Sequence, residues 1–130
     1  MAVTNLANDS IQVDTTLDSI TIRQHLSGIL GGVSLDVTGY TEPTIKSGHV
    51  IIKATATGDF KPMPVSEDAY AALPEGHTIE GVAVQSVLTT KASVGVMTRG
   101  EVNEATSPYA VTAAIKEALP LIIFTKDAKK

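Results

Sequence analysis

The stretch His49-Val50-Ile51-Ile52-Lys53-Ala54 carries the strongest signal for the fold. Its three consecutive β-branched residues predict a strand that is buried on both faces and lies centrally in a sheet. On its C-terminal side, Thr57-Gly58-Asp59 is typical of a turn. On its N-terminal side, Val33, Leu35 and Val37 alternate with polar residues, which predicts a half-buried strand. The middle of the chain is therefore expected to form β-sheet.

Further strands are predicted where β-branched residues cluster or where apolar and polar residues alternate. A break or bulge is expected at Gly100 and Glu101, before Val102. The predicted strands are residues 11–23, 78–88, 92–98 and 121–124, and residues 39–48 are predicted as loop and turn.

Two short helices are also predicted. Ser66 is a suitable N-cap and is followed by two acidic residues, so a helix is expected to run through Leu73 and to end at Pro74. An amphipathic helix of roughly two turns is expected between Pro108 and Pro120. Its apolar positions are Val111, Ala114, Ile115 and Ala118, and Lys116 and Glu117 face water.

Residues 23–32 are open to two interpretations. Leu26, Ile29 and Leu30 fall at helical spacing, but the glycines among and after them shorten any helix. The pattern favours a single turn of helix that ends at a glycine.

These elements together predict a mainly β fold, a small β-barrel or sandwich-like domain with two short helices. We divide the chain into an N-terminal arm (1–22), a β-rich domain (23–125) and a basic C-terminal tail (126–130). The 130 residues, 43% of them apolar, are enough for one core. Aromatic residues make up only 4%, so aliphatic side chains must form most of that core.

Composition argues against several classes of protein. The formal net charge is −4, and Lys126, Lys129 and Lys130 form the only basic run, so no nucleic-acid partner is expected. Cysteine is absent, which excludes disulfides and thiolate metal sites. The apolar runs are far shorter than the roughly 20 residues that cross a bilayer, and the first ten residues do not resemble a signal peptide. We therefore expect no membrane partner, and synthesis in a cytoplasm.

No residue pattern calls for catalysis, a metal or a cofactor. The histidines His25, His49 and His77 have no metal-ligand spacing, and His49 and His77 are expected to be ordinary polar positions. The acidic pairs Glu101 with Glu104 and Asp14 with Asp18 are interpreted as solvated surface. Residues 28–32 are glycine-rich but lack a P-loop lysine, and no G-x-S-x-G elbow occurs. The sequence thus predicts a protein that is not an enzyme.

One resemblance covers roughly residues 30–125. It includes the pattern V-x-x-R-G-x-V-N at residues 96–103, which is followed by a short helix and an I-x-F strand, and residues 98–103 are its most specific part. The other stretches that carry it are residues 31–37, 45–52, 61–64, 70–74, 76–82 and 121–124. In this order of elements the chain resembles the head-fibre and capsid-decoration proteins of tailed bacteriophages.

The resemblance implies a β-rich, cofactor-free protein that is commonly trimeric and binds the major capsid protein on the outside of the virion. The chain departs from a true fibre protein because no heptad-bearing stalk follows Phe124. This difference favours a compact knob, or a base onto which a fibre docks. The polar arm is expected to lie against the capsid or to add a strand to it. The expected capsid or subunit contacts are Ile11, Val13, Ile20, Ile22, Arg23 and Arg99.

The alternative is a host-surface or glycan-binding module carried on a virion. Sugar sites usually combine aromatic rings with polar groups, and this chain has only five Phe and Tyr rings with which to build one.

Overall fold

Ten strands and one α-helix are present in the computed structural model, which describes residues 21–38, 40 and 42–126. Every structural statement that follows refers to these residues. In chain order the elements are β1 (Ile22–Ser34), β2 (Thr44–Ile45), β3 (Val50–Ala54), β4 (Phe60–Pro62), β5 (Val65–Ser66), β6 (Ala69–Tyr70), β7 (His77–Ala83), β8 (Val87–Leu88), β9 (Ser93–Asn103), α1 (Ala113–Ala118) and β10 (Ile122–Thr125).

A six-stranded sheet organises the molecule. Its strands follow the order β1-β9-β7-β3-β4, all antiparallel, and β10 pairs in parallel with β9. Strands β2 and β8 form a separate pair, as do β5 and β6. The prediction of a mainly β fold is confirmed. The predicted barrel is wrong, because over the described residues the sheet keeps β1 and β4 as separate edges.

The core lies on both faces of the sheet. Val50 and Ile52 of β3 pack into one cluster with residues of β7, β9, α1 and β10, whereas Ile51 packs into a second cluster with Val94 and Val96 of β9. All three side chains of β3 are fully buried. Burial stabilises the fold by about 1.5–3 kcal/mol for each such side chain. The prediction of a central strand buried on both faces is confirmed.

Strand β1 corrects the prediction of a helical turn at residues 23–32. The segment is one long, irregular strand that pairs with β9 through several register shifts. A Cβ on Gly28 would lie 2.3 Å from the carbonyl oxygen of Val96, so glycine here permits the two backbones to approach closely. Ile29 packs against the second cluster while Leu26 is exposed. The apolar residues thus follow the sheet and not the helical period.

The predicted helix from Ser66 to Leu73 is also wrong, because β5 and β6 form a hairpin there. Glu67 and Asp68 occupy its two-residue turn with φ of 51° and 61°. Positive φ at both positions is the geometry that favours tight hairpins. Tyr70 fixes the hairpin, since its hydroxyl oxygen accepts the backbone N–H of Val50 at 3.0 Å. This long-range contact overrides the local helix signal.

Helix α1 confirms the second predicted helix in a shorter form. Ile115 is buried and Val111 packs against the first cluster. Ala114 and Ala118, which were predicted to lie on the apolar face, are exposed. Only six residues form the helix, so its apolar contact is limited to about one turn.

The cap of α1 allows a first prediction. The hydroxyl oxygen of Thr112 accepts the backbone N–H of Ile115 at 3.3 Å. We expect Thr112→Ala to lower the free energy of unfolding by about 1 kcal/mol, because that N–H loses its partner. Urea unfolding followed by circular dichroism measures the change. Thr112→Ser keeps the hydroxyl and is the control; an equal loss in both variants would contradict the capping role.

The arm and tail fall largely outside the described residues. Residues 1–20, which include Ile11, Val13 and Ile20, are not described, nor are residues 127–130. Of the predicted arm, Thr21 is fully buried and Ile22 opens β1 opposite Val102.

Candidate functional site

A buried histidine surrounded by tyrosine rings forms the most distinctive polar site. His49 is fully buried, so the prediction of an ordinary polar position is wrong. Three rings contact its imidazole edge-to-face. The centroid distances are 5.7 Å to Tyr40, 5.3 Å to Tyr70 and 5.7 Å to Tyr109. Such T-shaped pairs are each worth about 0.5–1.5 kcal/mol beyond the area that they bury.

Hydrogen bonding fixes the tautomer of His49. Its Nε2 lies 3.0 Å from the carbonyl oxygen of Met63. Because a carbonyl only accepts, Nε2 carries the proton and donates, and Nδ1 is left as a bare acceptor. Nδ1 is buried and has no partner among the described residues. Burial lowers the pKa of His49 to about 4, against the opposing effect of the Met63 hydrogen bond, so the ring is neutral at pH 7.

The turn before β3 places His49 at the site. Gly48 has φ of 85°, and a Cβ on it would lie 2.5 Å from Cγ2 of Thr21. Glycine is therefore required by both conformation and space. The backbone is held against the end of β7, since Gly48 donates to the Ala83 carbonyl at 2.8 Å and Ala83 donates to the His49 carbonyl at 2.9 Å.

His49 lines a cavity of about 380 Å³. Tyr40 and Tyr109 supply its aromatic surface, and Glu42 and Lys46 supply charges of opposite sign. Pro108 completes the lining together with six small hydroxyl-bearing residues, Thr21, Thr44, Ser47, Ser86, Thr106 and Ser107. We call this space the tyrosine cavity. Its volume lies at the lower end of the range, about 300–1,000 Å³, of small-molecule sites.

Two hydroxyl contacts organise one side of the tyrosine cavity. The hydroxyls of Thr21 and Thr106 lie 2.9 Å apart, and the Ser86 hydroxyl accepts the backbone N–H of Ser47 at 3.1 Å. The Ser107 hydroxyl is buried and has no partner among the described residues.

Tyr40 and Tyr109 both line the tyrosine cavity, and each affects the ionisation of the other. Burial, the neighbouring Tyr109 and the negative charge of Glu42 raise the pKa of Tyr40 well above its usual range. Burial and then Glu42 raise the pKa of Tyr109 as well. Both rings are therefore protonated at neutral pH and can donate hydrogen bonds.

A second cavity of about 120 Å³ lies beside the first. Tyr40 and Glu42 line both, and Lys61 and Asp36 line only the smaller one. Its size leaves room for little more than a few waters.

The acidic pair predicted as solvated surface is partly structural. Glu104 forms ion pairs with Nζ of Lys116 at 2.8 Å and with Nζ of Lys126 at 3.6 Å, and its side chain is largely covered. The hydrogen bond from Lys116 lowers the pKa of Glu104. Glu101 pairs with Arg23 at 3.5 Å in a more exposed setting. The other predicted pair, Asp14 and Asp18, lies outside the described residues.

The predicted contact residues lie away from the tyrosine cavity. Ile22 is half-buried against the first core cluster, and Arg23 follows it in β1. Arg99 is exposed on β9 opposite Ser27. The structure thus brings Ile22, Arg23 and Arg99 into one pair of strands. Ile11, Val13 and Ile20 lie outside the described residues.

Sequence reasoning missed the tyrosine cavity entirely. The three residues come from separate segments: Tyr40 from a loop, His49 from the position just before β3, and Tyr109 from the segment before α1. No regular spacing in the sequence connects these three residues. Only the small number of aromatic residues in the chain could have suggested that several of them lie together at one site. Of the other histidines, His25 is exposed, and His77 is half-buried and donates from Nδ1 to the Glu75 carbonyl at 3.0 Å.

Within the described ranges, His, Asp and Glu side chains form no group of three or more that could hold a metal ion. No helix in that part of the chain is long and apolar enough to cross a membrane. Comparison with protein-family models, curated proteins and solved structures gave no match.

Proposed function

We propose that this chain is a non-enzymatic structural protein of a bacteriophage virion that decorates the outside of the capsid. It binds the major capsid protein and assembles as a homotrimer, either stabilising the head or seating a fibre, and it is made in the cytoplasm of the host bacterium. The resemblance at residues 96–103 and the order of elements around it support this context. The observation that carries the proposal is a set of three exposed apolar residues in and next to the two strands, β1 and β10, that flank β9.

The three residues are Leu26, Leu121 and Ile123, and we call them the apolar rim. They are 54%, 63% and 61% exposed. Gly100 of β9 pairs with His25 of β1 on one side and with Ile122 of β10 on the other. Leu26 follows His25 in the chain, and Leu121 and Ile123 lie on either side of Ile122. Strands β1 and β10 are therefore separated by two strand spacings, about 10 Å. Exposed apolar patches rimmed by polar groups mark interaction surfaces.

Two of the residues that the sequence singled out for contact, Arg23 and Arg99, lie in strands next to this rim. Arg23 lies three residues from Leu26 in β1, and Arg99 precedes Gly100 in β9. Arginine is enriched at protein interfaces, where its planar head group pairs with carboxylates and its stem packs against apolar surface. The rim thus lies close to Arg99 and to Arg23, whose guanidinium already pairs with Glu101.

Strand β1 supplies an open sheet edge next to the rim. The opposite edge, β4, is covered at Phe60 by a bridge from Leu35, whereas β1 pairs only with β9. Register shifts on both sides of Leu26 interrupt β1. Since such bulges disfavour continuous addition of a strand, we expect side chains of the rim to make the contact. In a cyclic trimer the rim packs against a different surface of the neighbouring subunit.

The test measures oligomeric state by light scattering after size-exclusion chromatography, followed by co-sedimentation with phage heads that lack the protein. We expect the unmodified chain to form a trimer and to sediment with heads. Ile123→Lys and Leu26→Lys should each produce monomers that stay in the supernatant, because a desolvated ammonium is costly at an interface. Leu73→Lys changes a 40% exposed leucine outside the sheet and is the matched control.

A monomer that ignores heads would overturn the proposal. Equal loss of assembly in Leu73→Lys and Ile123→Lys would instead show that the apolar rim is not the specific contact surface. The alternative function, a glycan-binding module on a virion, is favoured by one specific observation, which is the tyrosine cavity.

A further inference from the structure

The tyrosine cavity lies where the described part of the chain begins. Thr21, the first described residue, is fully buried and lines the cavity. Its hydroxyl lies 2.9 Å from the hydroxyl of Thr106, which lines the cavity as well. Its Cγ2 lies so close to Gly48 that a Cβ there would approach it to 2.5 Å. These contacts fix the point at which the preceding residues join the domain.

The residues just before Thr21 are therefore within reach of the cavity. An extended chain spans at most about 3.6 Å per residue, so the α-carbon of Asp18 lies within about 11 Å of that of Thr21. A segment attached by a short connection has an effective concentration in the millimolar range. Contacts that are too weak to hold a separate peptide can therefore hold this segment.

The apolar part of the cavity lining matches apolar side chains of this segment. Tyr40 and Tyr109 are half-buried, and both line the cavity. Val13, Leu17 and Ile20 lie within the eight residues that precede Thr21. Packing aliphatic side chains on the tyrosine rings removes apolar surface from water on both partners.

Charge restricts the arrangement further. Three aspartates are the only charged side chains among residues 1–20, so this part of the chain is acidic. Lys46 is the only cation and Glu42 the only anion among the described residues that line the cavity. Asp18 is the aspartate nearest to Thr21 in the chain. An acidic segment that enters beside Thr21 is attracted to the lysine and repelled by the glutamate.

We infer that residues 13–20 dock across the mouth of the tyrosine cavity of the same chain. The carboxylate of Asp18 pairs with Nζ of Lys46, and the apolar side chains of the segment pack on the tyrosine rings. The segment is thus a built-in cover that any external ligand of the cavity must displace. Val13 and Ile20, which the sequence suggested as capsid or subunit contacts, are assigned to the domain itself. This inference goes beyond assembly on a capsid and does not depend on it.

Thermolysin digestion of the whole chain measures this docking. The protease cuts before bulky apolar residues, and its rate before Leu17 and Ile20 follows the fraction of molecules in which the segment has left the cavity. Mass spectrometry identifies each cut, so cleavage within the domain reports loss of folding separately. We expect Lys46→Glu to raise the rate at these two sites about fivefold, because a like charge then faces Asp18. Lys91→Glu makes the same charge change at an exposed position outside the cavity and should leave the rate unchanged.

A charge exchange identifies the partner of Lys46. Asp18→Lys combined with Lys46→Glu restores an attractive pair, so the cleavage rate should return to within about twofold of that of the unmodified protein. Asp9→Lys combined with Lys46→Glu is the control and should stay fast, because Asp9 lies outside the docked segment. No recovery with Asp18→Lys, or the same rate in every variant, would overturn the inference. Protection that disappears on dilution would also overturn it, because the segment would then cover the cavity of a neighbouring copy.

Discussion

Gly81→Ala is expected to lower the free energy of unfolding by about 3 kcal/mol or more. A Cβ at this position would lie 2.3 Å from the carbonyl oxygen of Met97 and 2.9 Å from Cγ1 of Val96. The first of these atoms belongs to the backbone of β9, which is paired with β1 on its other side. The carbonyl cannot withdraw without disturbing both pairings, so the added methyl group must push β7 and β9 apart.

The position of Gly81 makes this separation costly. β7 joins β3 to β9, and its pairing with β9 rests on Val82 opposite Met97 and Ala83 opposite Val96. All four of these side chains are fully buried in the two core clusters. Loss of this junction would therefore disturb both faces of the sheet.

Urea unfolding followed by circular dichroism measures the effect of Gly81→Ala. Gly95→Ala on β9 is the matched control, because its Cβ would meet Cγ2 of Val84 at 3.5 Å, an ordinary contact distance. We expect Gly95→Ala to change stability by less than about 1 kcal/mol. Equal, small losses in the two variants would show that β7 and β9 tolerate a methyl group between them.

The sequence could predict those parts of the fold that are encoded locally. In β3, three consecutive β-branched residues required burial on both faces, and the structure buries Ile51 opposite to Val50 and Ile52. The apolar run of β10 and the helix around Ile115 were equally evident. In each of these segments, composition and tertiary environment favour the same structure.

Predictions failed where distant residues decide the structure. The helical spacing around Leu26 is overridden by pairing with β9, which needs Gly28 to pass close to Val96. The acidic residues after Ser66 occupy a hairpin turn because Tyr70 is fixed to Val50 across the core. Neither contact has a local signal, since the partners lie in other strands.

The tyrosine cavity was beyond prediction for the same reason. His49 was identified only as the first residue of a strand, and its burial depends on rings that approach from three separate segments. The orphaned acceptor on its ring depends further on the hydrogen bond from Nε2 to Met63. A histidine with one fixed partner and one free lone pair is a property of the folded chain alone.

His49 is expected to make the protein acid-sensitive between pH 6.5 and pH 4. Its pKa falls from an ordinary value of 6.5 to about 4 on folding, because burial penalises the charged ring. Above pH 6.5 the ring is neutral in both states and contributes no pH dependence. As the pH falls towards 4, the unfolded chain binds a proton that the folded chain excludes, so stability declines. The expected loss is about 3 kcal/mol once the pH is below the folded pKa.

The three rings that contact His49 do not titrate in acid, whereas the charged Glu42 and Lys46 line the same cavity. Tyr40, Tyr70 and Tyr109 surround His49, and burial raises the pKa of each, so none titrates in the acid range. Carboxylates elsewhere, such as Glu104 with its lowered pKa, also lose stabilising charge in acid. A comparison between variants is therefore needed to isolate the contribution of His49.

His49→Gln supplies that comparison, because its amide N–H can still donate to Met63 but the side chain does not titrate. Urea unfolding at pH 7 and pH 4 should show a smaller loss of stability in this variant than in the unmodified protein, by about 3 kcal/mol. His77→Gln, at a half-buried position away from the tyrosine rings, should keep the full loss. If His49→Gln loses as much stability in acid as the unmodified protein, then protons must reach the folded imidazole at little cost, and the buried, neutral ring inferred from the Met63 hydrogen bond is wrong.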